Sequence, residues 1–335
     1  NNNMKICLIG KNLTNYVLAK NLASKNLNVE IIYNKNNKKN FSQRTLAISK
    51  DNFDYLLKLN NQKKISAWPI KNIKIFCDQT DSEELFEFKK ENKENFYLIK
   101  YDDIFKSFEI ACKKNKKIKF NLVKRENKIS SLFKQNNYNI VINSDNNTKL
   151  NNKYFNKKIE KNYNSYAYTG IISHKGKKNN TAIQIFTKFG PIAFLPISKN
   201  KTSVVFSILK KYKLKETQIL ELINKYNLNY NLLEINALEK YDLKFFMLRN
   251  YVYKNILSFG DNAHRIHPLA GQGFNMTIRD IITLSALIDN RIDLGLDLDK
   301  SLLQDFQNKT KHLNYIFGMG VDFINEFFKL DNRTN

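Results

Sequence analysis

The stretch at residues 260–280, GDNAHRIHPLAGQGFNMTIRD, decides the fold of this chain. A strand-type run at 256–259 leads into it, and a long apolar pattern of helical period follows it. Gly271 and Gly273 have no side chain, so a flat, electron-rich ligand can lie against the backbone N–H groups where the predicted helix begins. A glycine pair before a helix is often only a turn. The complete strand–loop–helix pattern favours a ligand site over that simpler interpretation.

The N-terminal segment carries a second nucleotide-binding pattern. Residues 4–10 are typical of a strand, residues 13–25 have helical spacing, and residues 28–33 have the pattern of another strand. The resulting βαβ unit places Gly10 in the strand-to-helix turn, which is where such units bind the phosphates of a nucleotide.

The middle of the chain is rich in strand patterns, and the tail after residue 301 has helical spacing. The strand patterns at 166–173, 181–187, 190–198 and 202–209 are separated by turn residues, which indicates a mostly antiparallel sheet. The sequence therefore predicts a mixed α/β (α+β) fold. A Rossmann-like nucleotide-binding domain is interleaved with an antiparallel sheet domain and is followed by a helical C-terminal tail.

The composition argues against a nucleic-acid partner. The formal net charge is +25, but 49 of the 56 basic residues are Lys and 7 are Arg, while Asn occurs 50 times. Nucleic-acid-binding proteins favour Arg for bidentate contacts, so a scattered excess of Lys and Asn indicates a solvated surface instead. We therefore expect no nucleic-acid binding.

The sequence predicts neither a metal site nor a membrane span. His264 and His267 lie close together, but no Cys or carboxylate set of ligand type accompanies them. We expect His267 to orient the loop or to line a substrate cavity. No apolar run reaches the roughly 18 residues that cross a bilayer. We expect a cytoplasmic protein, with a peripheral position on the inner face of the membrane as the alternative.

The stretch at 260–280 resembles the signature of the FAD-dependent aromatic-ring hydroxylases of ubiquinone biosynthesis, which are flavoprotein monooxygenases similar to p-hydroxybenzoate hydroxylase. The segments RTLAIS, YLIKYDDIFKSFEIA, IVINSD and FTKFGPIAFLPIS follow the order of that family. The resemblance implies an enzyme that uses FAD, dioxygen and NAD(P)H as the reductant. Its substrate would be a prenylated phenol or benzoquinol, hydroxylated through a flavin hydroperoxide. A quinone-biosynthesis protein complex is a further implied partner.

The resemblance also implies a set of site residues. The cofactor would be held by the first turn, by the motif after the second strand, by the ribityl contact and by the loop of the signature, which together comprise Gly10, Asn12, Asn15, Arg44, Asp261, Pro268, Ala270, Gly271, Gln272, Gly273, Phe274 and Asn275. His267, Leu195 and Pro196 would line the substrate cavity. No catalytic side chain is implied.

The predicted domains are discontinuous. An FAD-binding domain would comprise residues 4–72, 97–160 and 250–295, and a substrate-binding sheet domain would comprise residues 73–96 and 161–249. Residues 296–335 would form a C-terminal helical segment.

The first turn departs from the family pattern. It reads GKNLTN, so Asn12 and Asn15 replace two glycines of the family's G-x-G-x-x-G, and Tyr33 replaces its acidic residue after the second strand. Asn is the commonest residue other than Gly at positive φ, and on that ground we expect it to replace Gly with FAD still bound. The alternative is a flavin-free or weakly flavin-binding homologue that serves as an accessory component of a quinone-biosynthesis complex.

The Lys-rich stretch KKNKKIK at 113–119 suggests a second interpretation of the positive net charge of the chain. If the substrate resides in a membrane, these side chains would hold the protein at an anionic bilayer surface.

Overall fold

The computed structural model describes residues 4–34, 44–61, 65–78, 84–89, 96–123, 138–265 and 273–330. The helices are α1 Leu13–Ser24, α2 Lys50–Leu59, α3 Tyr101–Lys113, α4 Lys149–Tyr154, α5 Glu216–Lys225, α6 Gly273–Asp293 and α7 Lys300–Leu330. The strands are β1 Lys5–Ile9, β2 Asn28–Tyr33, β3 Thr45–Ser49, β4 Ala67–Ile70, β5 Asn72–Cys77, β6 Glu84–Lys89, β7 Phe96–Lys100, β8 Ile118–Leu122, β9 Ile140–Asn143, β10 Lys158–His174, β11 Thr181–Thr187, β12 Gly190–Pro196, β13 Lys201–Leu209, β14 Leu232–Ile235, β15 Glu239–Leu248, β16 Val252–Tyr253, β17 Ile256–Ser258 and β18 His264–Arg265.

A six-stranded sheet in the order β16-β17-β9-β1-β2-β8 forms the centre of the fold. Its strands are all parallel except the edge strand β16, which is antiparallel to β17. All four residues of β9 are buried, as are the last four of β1, because helices cover both faces of a parallel sheet. The carboxyl ends of β9, β1 and β17 therefore open at one edge, where open α/β sheets bind their ligands.

A nine-stranded sheet is built around the long strand β10, which pairs with β13, β14 and β15. The pairs in this sheet are antiparallel apart from β5 with β11. One face packs against α5 through a core that includes Phe194, Phe206 and Ile223.

A small antiparallel sheet, β3-β7-β4, lies against the nine-stranded sheet. Ala47, Ile70 and Leu98 of the small sheet pack with Ala193 and Leu195 of β12 in one apolar cluster. This cluster joins the strand that follows Arg44 to the strand that carries Leu195 and Pro196.

The observed architecture confirms the predicted fold class, including the Rossmann-like sheet, the mostly antiparallel sheet and the helical tail. The sequence patterns predict no helix or strand within residues 146–164, but these residues contain α4 and the beginning of β10. Their apolar residues are sparse, but Leu150, Phe155 and Tyr163 are all buried in the main core. In the described part of the chain, no helix has the length and apolarity that crossing a bilayer requires.

Candidate functional site

The first turn is held by the side chain of Asn12. Gly10 has φ +114°, and a Cβ at this position would lie 3.0 Å from the Cβ of Asp145. Asn12 is the N-cap of α1, and its Oδ1 accepts a 3.0 Å hydrogen bond from the N–H of Asn15. Its Nδ2 donates to the carbonyl and hydroxyl oxygens of Ser144, at 3.2 and 3.0 Å. This bridge joins the β1–α1 turn to the chain just beyond β9, across the edge where a dinucleotide binds in this kind of fold.

Asn15 is fully buried and binds the same turn from within α1. Its Nδ2 donates to the carbonyl oxygens of Ile9 and Gly10, both at 2.8 Å. Its Oδ1 is buried and has no hydrogen-bond partner in the described part of the chain. The amide thus satisfies strand-end carbonyls, which a glycine could not do.

The expectation that these asparagines replace glycines through positive φ was wrong. Asn12 has φ −146°, which is extended backbone, and Asn15 lies inside α1. Asn does adopt positive φ at Asn26, Asn61 and Asn164. In the first turn, however, the amide groups serve as hydrogen-bonding caps.

Arg44 lies next to Tyr101, the first residue of α3. Its guanidinium carbon is 5.3 Å from the centre of the Tyr101 ring, and the N–H of Tyr101 donates to the Arg44 carbonyl at 2.9 Å. Burial raises the pKa of Tyr101, while the Arg44 guanidinium and a hydrogen bond from the N–H of Leu13 act in the opposite direction. The Tyr101 hydroxyl therefore accepts a hydrogen bond from Leu13, one of the N–H groups at the beginning of α1 that have no partner within the helix. The sequence did not single out this tyrosine.

Gly260 and Asp261 follow β17 in a short 3-10 turn. Gly260 has φ +62°, and a Cβ there would lie 3.2 Å from Cγ2 of Thr14 and 3.7 Å from Cγ2 of Thr277. The strand end thus packs closely against the first turns of both α1 and α6. Asp261 is half-buried at this point, and its negative charge contributes to raising the pKa of Tyr101.

Asn275 fixes the beginning of α6. Its Nδ2 donates to the Ala47 carbonyl at 2.8 Å, and its Oδ1 accepts from the N–H of Ser49 and from the Asn52 amide at 3.1 and 2.9 Å. Phe274 is buried beside it. Apart from its chain neighbours and the backbone of its own helix, no described atom lies within 4 Å of where a Cβ of Gly273 would stand.

Leu195 and Pro196 are both buried at the end of β12. Leu195 packs in the apolar cluster that contains Ala47, whose carbonyl is bound to Asn275. The structure therefore brings together the beginning of α6, β3 and the predicted cavity wall. His267, Pro268, Ala270, Gly271 and Gln272 lie outside the described residues.

A buried polar network lies beneath the signature. His264 Nε2 and Asp280 Oδ2 are 2.8 Å apart, and Arg279 donates to Asp280 Oδ1 at 3.0 Å. Asn314 of α7 donates to Asp280 Oδ2 and to the Tyr251 hydroxyl, both at 3.3 Å, and Arg279 also contacts Asn314. Burial raises the pKa of Tyr251 to about 12. His264 therefore has a structural role in this network. In the sequence, the only signal for the network is the adjacent Arg and Asp at the end of the signature.

Comparisons with known proteins show which proteins this chain is similar to. Residues 212–292 match the family model described as FAD binding domain. The chain is 23% identical over 215 residues to the ubiquinone biosynthesis monooxygenase COQ6 of Caenorhabditis elegans, with 51% of this chain and 48% of the relative covered. It is related to the FAD-dependent monooxygenases. The 3-demethoxyubiquinol 3-hydroxylase of Escherichia coli is 30% identical over 149 residues, with 42% of this chain and 38% of that protein covered. The resemblance to hydroxylases of ubiquinone biosynthesis is thereby confirmed, although the chain spans less than half the length of these relatives.

Solved structures agree on the fold. The probable FAD-dependent monooxygenase pqsL of Pseudomonas aeruginosa superposes with a TM-score of 0.75 at 13% identity, over 98% of both chains. A 2-methyl-3-hydroxypyridine-5-carboxylic acid oxygenase superposes with a TM-score of 0.73 at 9% identity, over 97% of this chain and 91% of the other. The described architecture therefore shares its fold with these two proteins.

The described residues fit FAD unequally along its length. At the flavin end, Gly273 leaves open space at a helix N-terminus among the described atoms, and Asp261 lies at the strand end, so both suit the ring and its ribityl chain. At the pyrophosphate end, Asn12 and Tyr101 already occupy N–H groups of α1. Tyr33 offers no carboxylate, and the Lys11 ammonium lies 5.6 Å from the centre of its ring.

We expect the buried carboxylate of Asp280 to be important for stability. Replacing it in Asp280→Ala leaves His264 and Arg279 without their partner, which costs about 3–5 kcal/mol in the free energy of unfolding. Asp280→Asn keeps part of the hydrogen bonding and loses less. Urea unfolding followed by circular dichroism measures both. Asp289→Ala, on the same helix but with a half-exposed carboxylate paired to Lys25, is the control and changes stability by about 0–1 kcal/mol. Equal losses in the two alanine variants would contradict the assignment.

We also expect the Asn12 bridge to oppose dinucleotide binding. Asn12→Gly removes the contact with Ser144 and so opens the edge, while a Gly N-cap costs only a few tenths of a kcal/mol in helix stability. The dissociation constant for FAD, measured by quenching of flavin fluorescence, should fall by about tenfold, or about 1.4 kcal/mol, which is within the range expected for loss of the two hydrogen bonds to Ser144. Asn26→Gly, an exposed change just beyond the other end of α1, should leave it unaltered. Unchanged or weaker binding by Asn12→Gly would refute a closing role for the bridge.

Proposed function

We propose that this chain belongs to an FAD-dependent monooxygenase that hydroxylates a prenylated phenol or benzoquinol of ubiquinone biosynthesis. The observation that carries the proposal is the convergence of Asp261, Gly260 and the beginning of α6 at one strand end, within the segment that matches the FAD-binding family. The names of the relatives support the substrate class. Dioxygen is the cosubstrate, and NAD(P)H is the proposed reductant.

FAD, when bound, supplies the reduction of dioxygen and the transfer of one oxygen atom to the ring. The residues of the chain bind and orient the partners. Asp261 would accept hydrogen bonds from the ribityl hydroxyls, and Arg44 would offer its positive charge at the entrance. Leu195 and Pro196 would form an apolar wall that excludes water from the reacting ring. Asn275 holds α6 against β3, which keeps the helix N-terminus in place.

In this proposal the six-stranded sheet with its helices is the FAD-binding domain, comprising residues 4–72, 97–160 and 250–295. The nine-stranded sheet provides the substrate-binding domain at 73–96 and 161–249, and residues 296–335 form the helical tail. The apolar cluster of Ala47 and Leu195 lies where the two meet.

A direct test is the cofactor content of the purified chain. We expect a visible flavin absorption spectrum, either as purified or after addition of FAD, and oxidation of NADPH that accelerates with a short-chain prenylphenol. Asp261→Ala should raise the dissociation constant for FAD by about tenfold or more, since it removes hydrogen bonds to a charged acceptor. Asp289→Ala is the control. A colourless chain that does not take up added FAD would reject the enzyme and leave the flavin-free accessory component of a quinone-biosynthesis complex.

We further propose that the Lys-rich stretch at 113–119 contacts an anionic membrane surface. Lys114, Lys116 and Lys119 are exposed there, whereas Lys113 is paired with Glu109 at 2.9 Å. We expect co-sedimentation with vesicles that contain phosphatidylglycerol, and a loss of it in Lys114→Glu/Lys116→Glu/Lys119→Glu, because each Lys near such a surface adds about 1 kcal/mol. Equal binding to neutral phosphatidylcholine vesicles would count against this surface.

A further inference from the structure

One face of the nine-stranded sheet carries polar side chains that none of the steps above uses. Glu239 of β15 lies directly opposite Thr169 of β10, and Thr169 lies opposite Val205 of β13. Val205 in turn lies opposite Ala193 of β12. Directly opposed residues of antiparallel strands point to the same face of a sheet. The row therefore runs from a carboxylate at Glu239 to the apolar cluster that contains Ala193 and Leu195.

The face remains accessible at the middle of this row. Val205 is only partly buried, although its strand lies between β10 and β12 and its chain neighbours Val204 and Phe206 are both buried. Neighbouring strands are about 4.8 Å apart, so Thr169 and Ala193 lie one strand spacing to either side of Val205. A flat group that rests on Val205 therefore has a polar neighbour on one side and an apolar wall on the other.

The polar end of the row is a hydrogen-bonded pair. Tyr241 follows Glu239 by two residues, so both side chains lie on one face of β15, and the Tyr241 hydroxyl donates to the Glu239 carboxylate. Partial burial and this hydrogen bond raise the pKa of Tyr241 to about 12. Tyr241 therefore stays protonated at neutral pH, and Glu239 is the acceptor of the pair. A carboxylate accepts up to about four hydrogen bonds, so Glu239 has the capacity for a further donor.

Two neighbours act on the same pair. The Arg44 guanidinium and the Thr169 hydroxyl oppose the rise in the pKa of Tyr241, which places both of them near its hydroxyl. The Thr169 hydroxyl oxygen is buried and makes no other hydrogen bond in the described part of the chain. Arg44 also lies 5.3 Å from the centre of the Tyr101 ring. Thr169, Glu239 and Tyr241 thus form a polar corner within the electrostatic reach of the arginine that belongs to the candidate site.

We propose that this polar corner binds the hydroxyl group of a phenolic substrate whose ring rests on Val205. The phenol would donate its hydrogen bond to Glu239, and the Thr169 hydroxyl would bond to the same phenol oxygen. The opposite side of the ring would contact the apolar wall at Leu195. This inference rests on the function proposed above and adds to it the residues that recognise the substrate.

The charge of the corner predicts which aromatic compounds it excludes. Glu239 is a negatively charged acceptor, so it favours a neutral hydroxyl group over an ether oxygen, which has no hydrogen to donate. It also repels a carboxylate at the same place. The corner therefore selects neutral phenols over their ethers and over aromatic acids.

Asp242 provides a matched control on the same strand. It lies opposite Tyr166, and its side chain points to the other face of the sheet from those of Glu239 and Tyr241. Its half-exposed carboxylate is paired with Lys210 at 2.6 Å and with Lys244 at 3.3 Å. Removing its charge changes the strand without changing the polar corner.

Isothermal titration calorimetry of the whole chain, with and without saturating FAD, tests the corner directly. The probes are a dimethylallyl-substituted phenol, its methyl ether and a dimethylallyl-substituted benzoate anion. We expect the phenol to bind about tenfold more tightly than the ether, because only the phenol donates a hydrogen bond to a charged acceptor.

The Glu239→Gln variant separates recognition from folding. It should weaken binding of the phenol by about tenfold, leave the ether unchanged and strengthen binding of the benzoate, because the repelling charge is gone. Asp242→Asn should leave all three affinities unaltered. A variant that only unfolds loses all three ligands together, so opposite changes for the phenol and the benzoate cannot come from loss of the fold.

Failure of the corner and failure of the proposed enzyme give different results. A chain that takes up FAD but binds the phenol and the ether equally overturns the corner and leaves the enzyme intact. A chain that takes up no FAD, yet prefers the phenol and loses this preference in Glu239→Gln, rejects the enzyme and supports the corner. Absence of binding by all three probes overturns the corner, as does an equal loss in Glu239→Gln and Asp242→Asn.

Discussion

The fold depends on one close approach, at Gly260. Gly260 has φ +62°, which strains any residue with a side chain, and a Cβ there would lie 3.2 Å from Cγ2 of Thr14 of α1, which would have to shift by a few tenths of an ångström, and in van der Waals contact with Thr277 of α6. The parallel order β17-β9-β1 brings the two helix N-termini to the same edge of the sheet. Everything proposed for the site follows from that edge: two helix ends with free N–H groups, a carboxylate at Asp261 and an arginine at the entrance.

The chain satisfies two of those N–H groups itself, because Asn12 Oδ1 accepts from Asn15 and the Tyr101 hydroxyl accepts from Leu13. The side-chain amide of Asn12 also donates to Ser144, and that of Asn15 donates to the strand-end carbonyls. In a first turn with glycines, these donors remain available to a pyrophosphate. Here a ligand must compete with internal hydrogen bonds, so the stability of the turn and the affinity for a dinucleotide oppose each other.

The tail helix is coupled to the signature through Asp280. This carboxylate contacts His264 on one side and Asn314 of α7 on the other, and Asn314 continues to Tyr251. A buried carboxylate is stable only while all its partners are in place, so the network fixes α6 relative to the tail and the edge strands. The helix that begins at the candidate site is thereby held at two points in its first eight residues, by Asn275 and by Asp280.

Local patterns were sufficient for much of this protein. The apolar runs of β1, β9 and β17 and the periodicity of α1 and α6 predict the parallel sheet, because a strand buried on both faces must be apolar throughout. The motif at 260–280 likewise predicts Gly260 and Asp261 at a strand end. Residues 146–164 escaped prediction because burial of Leu150, Phe155 and Tyr163 comes from distant partners and leaves no local period.

The sequence by itself determined the fold class, the family resemblance and the residues of the signature, since these depend on spacing along the chain. Only the tertiary structure decided the role of the asparagines that replace glycines in the first turn. The amides of Asn12 and Asn15 serve as caps because Ser144, Ile9 and Gly10 lie within hydrogen-bonding distance. Such contacts depend on packing in three dimensions, and the spacing of residues along the chain carries no record of them.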